Sequence, residues 1–341
     1  MRTFQFRAAA ALLALALFCG CASGAAAGPQ RYDETYFDCF DTVTTLIGYA
    51  GSRADFDAAA REIHAGLERC HRLFDIYHTY EGLNNLKTVN DSAGGAPVAV
   101  DAEIVELLLF CRELYGRTGG AVDVTLGPVL ALWHEAREQG LADPARAALP
   151  DPDALAEAAK HTGIGLLEIN AAASTVRLTD PAARLDVGAV AKGWAAERVC
   201  AAAPSGYLLN LGGNVRATGP KPDGSPWVVG IQDPDGGASD YLRTVSVSAG
   251  AVVNSGDYQR YYVVDGLRYA HIIDPETLYP AVRWRAVAIR CGDSGLADGL
   301  STALFVLDRE TGAALAASCG AEALWVAPDG TIVTTEGFET A

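Results

Sequence analysis

The chain has 341 residues, 50% of them hydrophobic, and carries a formal net charge of -16. That length supplies one large domain or two closely joined lobes with enough apolar surface for a core. The acidic balance excludes nonspecific nucleic-acid binding, which needs a cationic surface, and the acidic residues are scattered as on a solvated exterior.

Arg2 and Arg7 flank a short leader, and Ala8 to Phe18 is an apolar run too short to span a bilayer. Small residues follow in Gly20-Cys21-Ala22-Ser23-Gly24. Residues 1–21 are expected to be a secretory signal with a lipoprotein-like processing site, Cys21 becoming a lipidated N-terminus. Phe18 and Cys19 depart from the usual pattern, and an ordinary signal peptide is the alternative. The expected location is the bacterial cell envelope, with an exported chain anchored by its lipid and facing the periplasm. Residues 31–341 are read as one domain. Cys39, Cys70, Cys111, Cys200, Cys291 and Cys319 are widely spaced, without a Cys-x-x-Cys pair, which argues against a zinc site. Disulfides and buried free thiols both remain open.

Tyr36 to Tyr49 reads as one β-strand, rich in Thr and containing Phe40-Asp41-Thr42. Phe56, Ile63, Leu67, Cys70 and Phe74 fall at helical spacing and predict a helix over 55–74. A polar stretch runs from Asp75 to Asn90. Asp101 suits the N-cap of a helix over 103–115 that turns Ile104, Leu107, Leu108, Cys111 and Leu114 inward. This helix stops at Thr118-Gly119-Gly120, with Ala121-Val122-Asp123-Val124-Thr125 directly after. A loose loop then leads to a helix beginning at Pro150-Asp151-Pro152-Asp153, and residues 166–170 and 175–178 read as a strand pair.

The stretch from Leu185 to Gly219 is the most informative. Asp186 precedes Gly188 and Gly193, which bracket Lys192, and an Ala-rich helical run follows. Asp186 and Lys192 thus straddle a loop-to-helix transition, where free backbone N–H groups favour anions. This reads as half of a site for a phosphate-bearing ligand. The strand Tyr207 to Leu211 ends in Gly212-Gly213-Asn214, which suits a plain strand-turn-strand connection equally well. Neither a Rossmann fingerprint nor a Walker A sequence occurs.

Beyond Gly219 the pattern is mostly β, with strands expected over 227–232, 243–248, 258–264, 267–273 and 283–290. Asp265-Gly266 marks a hairpin, and Ser255-Gly256-Asp257-Tyr258 reads as a turn. Helices over 296–307 and 311–318 and two short strands close the chain. Helices and strands mix without βαβ alternation, which favours an α+β fold. Asp298 and Thr302 share one helix face, and such hard oxygen donors suit Mg²⁺; helix capping by Asp298 fits the same residues. His271, in His271-Ile272-Ile273-Asp274-Pro275, is either structural or a neutral imidazole able to take a proton. Neither Gly-x-Ser-x-Gly nor His-Glu-x-x-His occurs.

Taken in order, Phe40 to Thr42, the Tyr77 to Asn90 loop, Thr118 to Asp123, Asp186 to Gly193, Tyr207 to Gly219, Asn254 to Tyr258, His271 to Pro275 and Asp298 to Thr302 form an ordered set. The set resembles the FAD:protein FMN transferases, the ApbE family of exported flavin transferases, across nearly all of the chain beyond the signal. The resemblance implies an α+β, T-fold-related domain of two lobes, with mixed, largely antiparallel sheets, flanking helices and FAD in a cleft. It implies that Phe40 lies beside the flavin and that Tyr77 stacks near the isoalloxazine. Ala121, Val122 and Asp123 would contact flavin and nucleotide, Asp186 and Lys192 would contact FAD, and Ile272 would pack on it. Mg²⁺ would be held by Asp298, Thr302 and backbone oxygens of Ala189 and Ser301, with Asp298 and His271 catalytic and His271 the general base.

The activity so implied is Mg²⁺-dependent transfer of FMN from FAD to a threonine of an exported or membrane redox protein, releasing AMP. Hydrolysis of FAD to FMN and AMP, and flavin binding by a lipoprotein without catalysis, are the alternatives. The chain departs from the family pattern at Phe40 and Asp41, where Met-Gly is common, and at Val122, Ala189 and Leu278, where phenylalanine, glycine and glycine are usual.

Overall fold

The computed structural model describes residues 28–237 and 240–338; the expected signal and Cys21 lie outside them. In chain order the elements are β1 (Gln30–Tyr36), β2 (Thr44–Ala50), α1 (Arg53–Phe74), α2 (Leu86–Asp91), β3 (Val98–Ala99), α3 (Ala102–Arg117), α4 (Gly127–Ala142) and α5 (Pro152–Ala159). There follow β4 (Leu167–Asn170), β5 (Thr175–Leu178), α6 (Ala191–Ala201), β6 (Tyr207–Leu211), β7 (Asn214–Ala217), β8 (Trp227–Gln232) and β9 (Tyr241–Val247). The chain continues through β10 (Gly250–Gly256), β11 (Tyr261–Val264), β12 (Leu267–Ala270), β13 (Ala286–Cys291), α7 (Ser294–Val306), α8 (Arg309–Ser318), β14 (Glu322–Val326) and β15 (Ile332–Thr334).

An eight-stranded sheet in the order β1-β2-β6-β7-β10-β13-β14-β15 organises the molecule, and every neighbouring pair in it is antiparallel. Side chains alternate across a strand, so Leu209, Leu211, Val253, Val287 and Ile289 enter the main core with α1, α3, α6 and α7. Leu208, Val215, Val252, Ala286 and Ala288 point the other way, onto a second core closed by the β8–β9 hairpin. A third, smaller cluster joins α4, α5 and the β11–β12 hairpin around Trp133, Tyr262 and Ile273. The result is the expected α+β arrangement, largely antiparallel with flanking helices.

Caps explain several boundaries. Ser52, Asp101, Asp151, Asp293 and Asp308 each accept a backbone N–H in the first turn of the helix they begin. Where the reading differs, the backbone supplies the reason. The expected strand over 36–49 is broken, because Phe40 and Asp41 adopt φ of 56° and 50° in the connection between β1 and β2. The polar stretch after Asp75 contains α2, started by a capping box between Asn85 and Thr88. The loose loop before Pro150 contains α4. Of the turn expected over Ser255 to Tyr258, Ser255 and Gly256 belong to β10, and the turn begins at Asp257. The strands expected over 258–264, 267–273 and 283–290 are shorter or shifted, so His271 lies just past β12.

All six cysteines of the described residues are free thiols, five buried and Cys319 half-buried. Among the described residues no helix is long and apolar enough to cross a membrane.

Candidate active site

Asp298 lies mid-helix in α7 and is only 3% exposed. Asp293 takes the N-cap, its Oδ1 accepting the Leu296 N–H at 2.7 Å, so the capping alternative for Asp298 is excluded. Gly193 N–H, in the first turn of α6, donates to Asp298 Oδ2 at 2.8 Å. Lys192 Nζ stands 4.0 Å from Asp298 Oδ1. The close crossing of α6 and α7 depends on Gly193: a Cβ there would meet the Ser294 carbonyl at 2.3 Å and Asp298 Cβ at 2.4 Å.

Burial pushes the Asp298 carboxyl above the ordinary carboxylate range, opposed by Lys192, the Gly193 N–H and the Asn214 amide. Asn214 is near enough to favour the ionised form but not in hydrogen-bond geometry, and its Nδ2 has no partner. Ser301 Oγ donates to the Asp298 carbonyl at 2.8 Å. Its single proton is thereby used, so Ser255, 2.7 Å away on β10, donates to Ser301. Thr302 is half-buried on the same helix face as Asp298. A buried carboxylate whose Lys192 partner stands no nearer than 4.0 Å, on the same helix face as the Thr302 hydroxyl, has the donor chemistry that suits a hard divalent cation.

Asp186 lies in the loop that leads into α6. Its N–H donates to the Val124 carbonyl at 2.8 Å, and its Oδ1 accepts from Gly188 N–H at 2.8 Å. It sits deep while still reached by solvent, and burial raises its carboxyl against the pull of His134 and Arg260. Ala189 is half-buried between Asp186 and Lys192. The exposed Tyr77 ring lies 5.4 Å from that of His134 on α4, whose Nδ1 is 2.9 Å from Arg137 Nη2.

His271 Nδ1 lies 3.2 Å from the Arg260 carbonyl. A carbonyl only accepts, so Nδ1 carries the proton and Nε2 presents its lone pair. Burial, then the charges of Arg260, Lys192 and Arg137, push this imidazole down to about 3. Three cations therefore converge on His271, two of them not foreseen from sequence. Arg137 and His134 are brought in by α4, which lies in the expected loop before Pro150; Arg260 lies between the Ser255 and His271 motifs.

Ala121 and Asp123 line a cavity of about 450 Å³ with Thr118, Asp274, Glu276 and Arg283. Asp123 also holds its own turn: Oδ1 accepts the Thr125 N–H at 2.8 Å and the Thr125 hydroxyl at 2.5 Å. Val122 is buried, its N–H donating to Thr118 Oγ1 at 3.2 Å. Ile272 is 6% exposed within the main core. Phe40 is half-buried, its N–H donating to His71 Nδ1 at 3.2 Å, and the charge of its neighbour Asp41 is felt at Tyr77. The expected residues thus fall into a charged group around Asp298, Lys192, Asp186 and His271, an aromatic edge at Tyr77, and a cavity at Ala121 and Asp123.

The sequence matches the ApbE family over residues 40–325. It is 36% identical over 302 residues to an FAD:protein FMN transferase of Treponema pallidum, covering 82% of each chain. To that of Vibrio cholerae it is 31% identical over 293 residues, covering 84% of this chain and 83% of the relative. The fold superposes on the crystal structure of the ApbE protein of Thermotoga maritima with a TM-score of 0.81 at 31% identity, covering 91% of this chain and 98% of that one. On the flavin transferase ApbE of Vibrio cholerae the TM-score is 0.74 at 28% identity, with 91% and 98% covered.

Proposed function

The chain belongs to the ApbE family and is an FAD:protein FMN transferase, and from that premise we propose that it uses Mg²⁺ to move FMN onto a threonine hydroxyl of an exported or membrane redox protein. The observation that carries the reading is the buried Asp298 carboxylate, tied to the start of α6 through Gly193 and flanked by Lys192 at 4.0 Å. Asp298, Thr302 and the backbone oxygens of Ala189 and Ser301 would hold the ion. When bound, it supplies positive charge to the diphosphate oxygens.

The protein's own groups do the rest. Lys192, with Arg137 and Arg260 nearby, attracts the diphosphate, and the α6 N-terminus offers N–H groups to it. Tyr77 and Phe40 offer aromatic surface to the isoalloxazine, and the Ala121–Asp123 turn and Ile272 bound the remainder of FAD. Asp186 orders the loop that leads into α6. His271 Nε2 accepts the threonine proton as the hydroxyl oxygen bonds to the FMN-side phosphorus, and the bond from that phosphorus to the AMP oxygen breaks. A base held near 3 is weak, but bound diphosphate offsets the cations that depress it, so His271 gains basicity when substrate is present.

Export, a lipid on Cys21 and a periplasm-facing site in a single domain over 31–341 belong to the same reading. Incubating the processed protein with FAD, Mg²⁺ and candidate acceptor domains, then mapping modified peptides by mass spectrometry, tests it. An FMN-sized gain on threonine is expected. Release of AMP and free FMN with no acceptor modified would instead support hydrolysis.

A further inference from the structure

Just before Phe40, the connection after β1 brings together the Asp38 carboxylate, the Cys39 thiol and the His64 imidazole, whose donor atoms all lie within 4.8 Å of one another. His64 Nε2 is 3.0 Å from both Asp38 oxygens, and Cys39 Sγ is 3.7 Å from Asp38 Oδ1. A tetrahedral zinc ion, with bonds of about 2.0–2.3 Å, sets its ligands roughly 3.3–3.7 Å apart. The three groups are therefore close to zinc spacing before any ion arrives.

We propose that Asp38, Cys39 and His64 form a zinc site distinct from the Asp298 centre. The Tyr36 ring stacks on His64 at 4.1 Å and 12°, which restricts rotation of the imidazole. Glu68 lies one helical turn beyond His64 on α1 but outside the group whose donor atoms share 4.8 Å, so water completes the fourth position. Thiolate and imidazole select zinc, whereas the all-oxygen set at Asp298 selects Mg²⁺, so the two ions do not compete. Cys39 enters as thiolate, so each ion bound releases one proton. The cysteine spacing concealed the site because only one ligand is a cysteine and the histidine comes from a helix.

The consequence is local order. Phe40 and Asp41, immediately after the ligands, occupy the left-handed region without being glycine, a conformation that persists only where its surroundings fix it. Zinc at Asp38, Cys39 and His64 would brace that turn from one side while the Phe40 N–H bond to His71 braces it from the other.

Titration of the processed protein with Co²⁺ in excess Mg²⁺ tests the assignment without using flavin transfer. One equivalent should produce a thiolate-to-cobalt charge-transfer band that Zn²⁺ displaces. The band should vanish in Cys39→Ser, and affinity should fall at least about tenfold in His64→Ala. His64 is partly exposed on α1, so its variant decides the matter if the buried Cys39→Ser does not fold. Zn²⁺ should raise the thermal midpoint of the parent protein and not that of His64→Ala. Cys319→Ser should keep the band. No band in the parent, or a band unchanged in His64→Ala, overturns the proposal.

Discussion

Gly193 and Asp298 are joined by a 2.8 Å hydrogen bond from backbone N–H to Oδ2 across the crossing of α6 and α7. Because a Cβ at Gly193 would fall 2.4 Å from Asp298 Cβ and 2.3 Å from the Ser294 carbonyl, the two helices must separate to admit alanine. Gly193→Ala should lower stability by about 1–3 kcal/mol, the usual cost of overpacking. It should also lower FMN transfer at least about a hundredfold, because Lys192 and Asp298 move apart. Denaturant unfolding and an FMN-transfer assay measure both; a stable, active variant would contradict the role given to this crossing.

The hydroxyl relay from Ser255 through Ser301 to the Asp298 carbonyl anchors β10 to α7. Ser255→Ala should cost about 0.5–1.5 kcal/mol, the net worth of one neutral hydrogen bond. It should also raise the Mg²⁺ concentration needed for half-maximal transfer while leaving the KM for FAD nearly unchanged. A Mg²⁺ titration at saturating FAD reads the effect.

His271 is held down to about 3 from an ordinary value of 6.5 by burial and by Arg260, Lys192 and Arg137. It is therefore neutral in the free enzyme throughout the near-neutral range, and kcat/KM should show no acid limb near 6.5 from this residue. The stability sign follows from the same shift. Below 6.5 the unfolded chain takes up a proton that the folded protein refuses until about 3, so His271 makes the fold progressively less stable as pH falls through that window. His271→Gln should abolish most transfer yet lose less stability than the parent between neutral pH and about pH 5. Thermal melts of both proteins across that range, with a pH–rate profile of the parent, check the sign.

Arg137 reaches the site only because α4 continues past Trp133. Arg137→Gln should raise the KM for FAD by about tenfold, the loss of one charge-assisted contact. It should also shift any His271 limb upward, since one depressing charge is gone. An unchanged KM and pH profile would remove Arg137 from the account.

Much of this was legible in the sequence where one side chain had one clear task. Asp101, Asp151 and the apolar spacing of α1 and α3 mark helices that the structure reproduces within a few residues. Asp298, an acid in an otherwise small and apolar helix, stood out as a candidate ligand, though capping fitted it at least as well until Asp293 proved to be the N-cap. What escaped depended on tertiary contacts. Helix α4 follows the N-cap Leu126 with no side-chain cap, and although buried Val129, Trp133 and Gly140 share one face, only two of them are large and apolar, so the stripe is short. Strand β10 ends in Asn-Ser-Gly, a turn-like composition, yet is held between β7 and β13. The break at Phe40 and Asp41 gave little warning, because Phe rarely takes a positive φ and Asp, which takes it more readily, stood inside a Thr-rich strand pattern. The cations around His271 come from α4 and the segment before β11, so their convergence exists only in the folded chain.

The central claim is that Asp298 is the carboxylate on which divalent-cation-dependent FMN transfer depends. Titrating Mg²⁺ into parent and Asp298→Asn proteins, with FAD and an acceptor present, while following protein-bound FMN and released AMP together, tests it most directly. The account predicts equal amounts of both products from the parent, none after chelation, and at least about a hundredfold less from Asp298→Asn at every Mg²⁺ concentration, with its circular dichroism and thermal midpoint retained. A folded Asp298→Asn protein that transfers FMN at the parental rate with the parental Mg²⁺ dependence would contradict it.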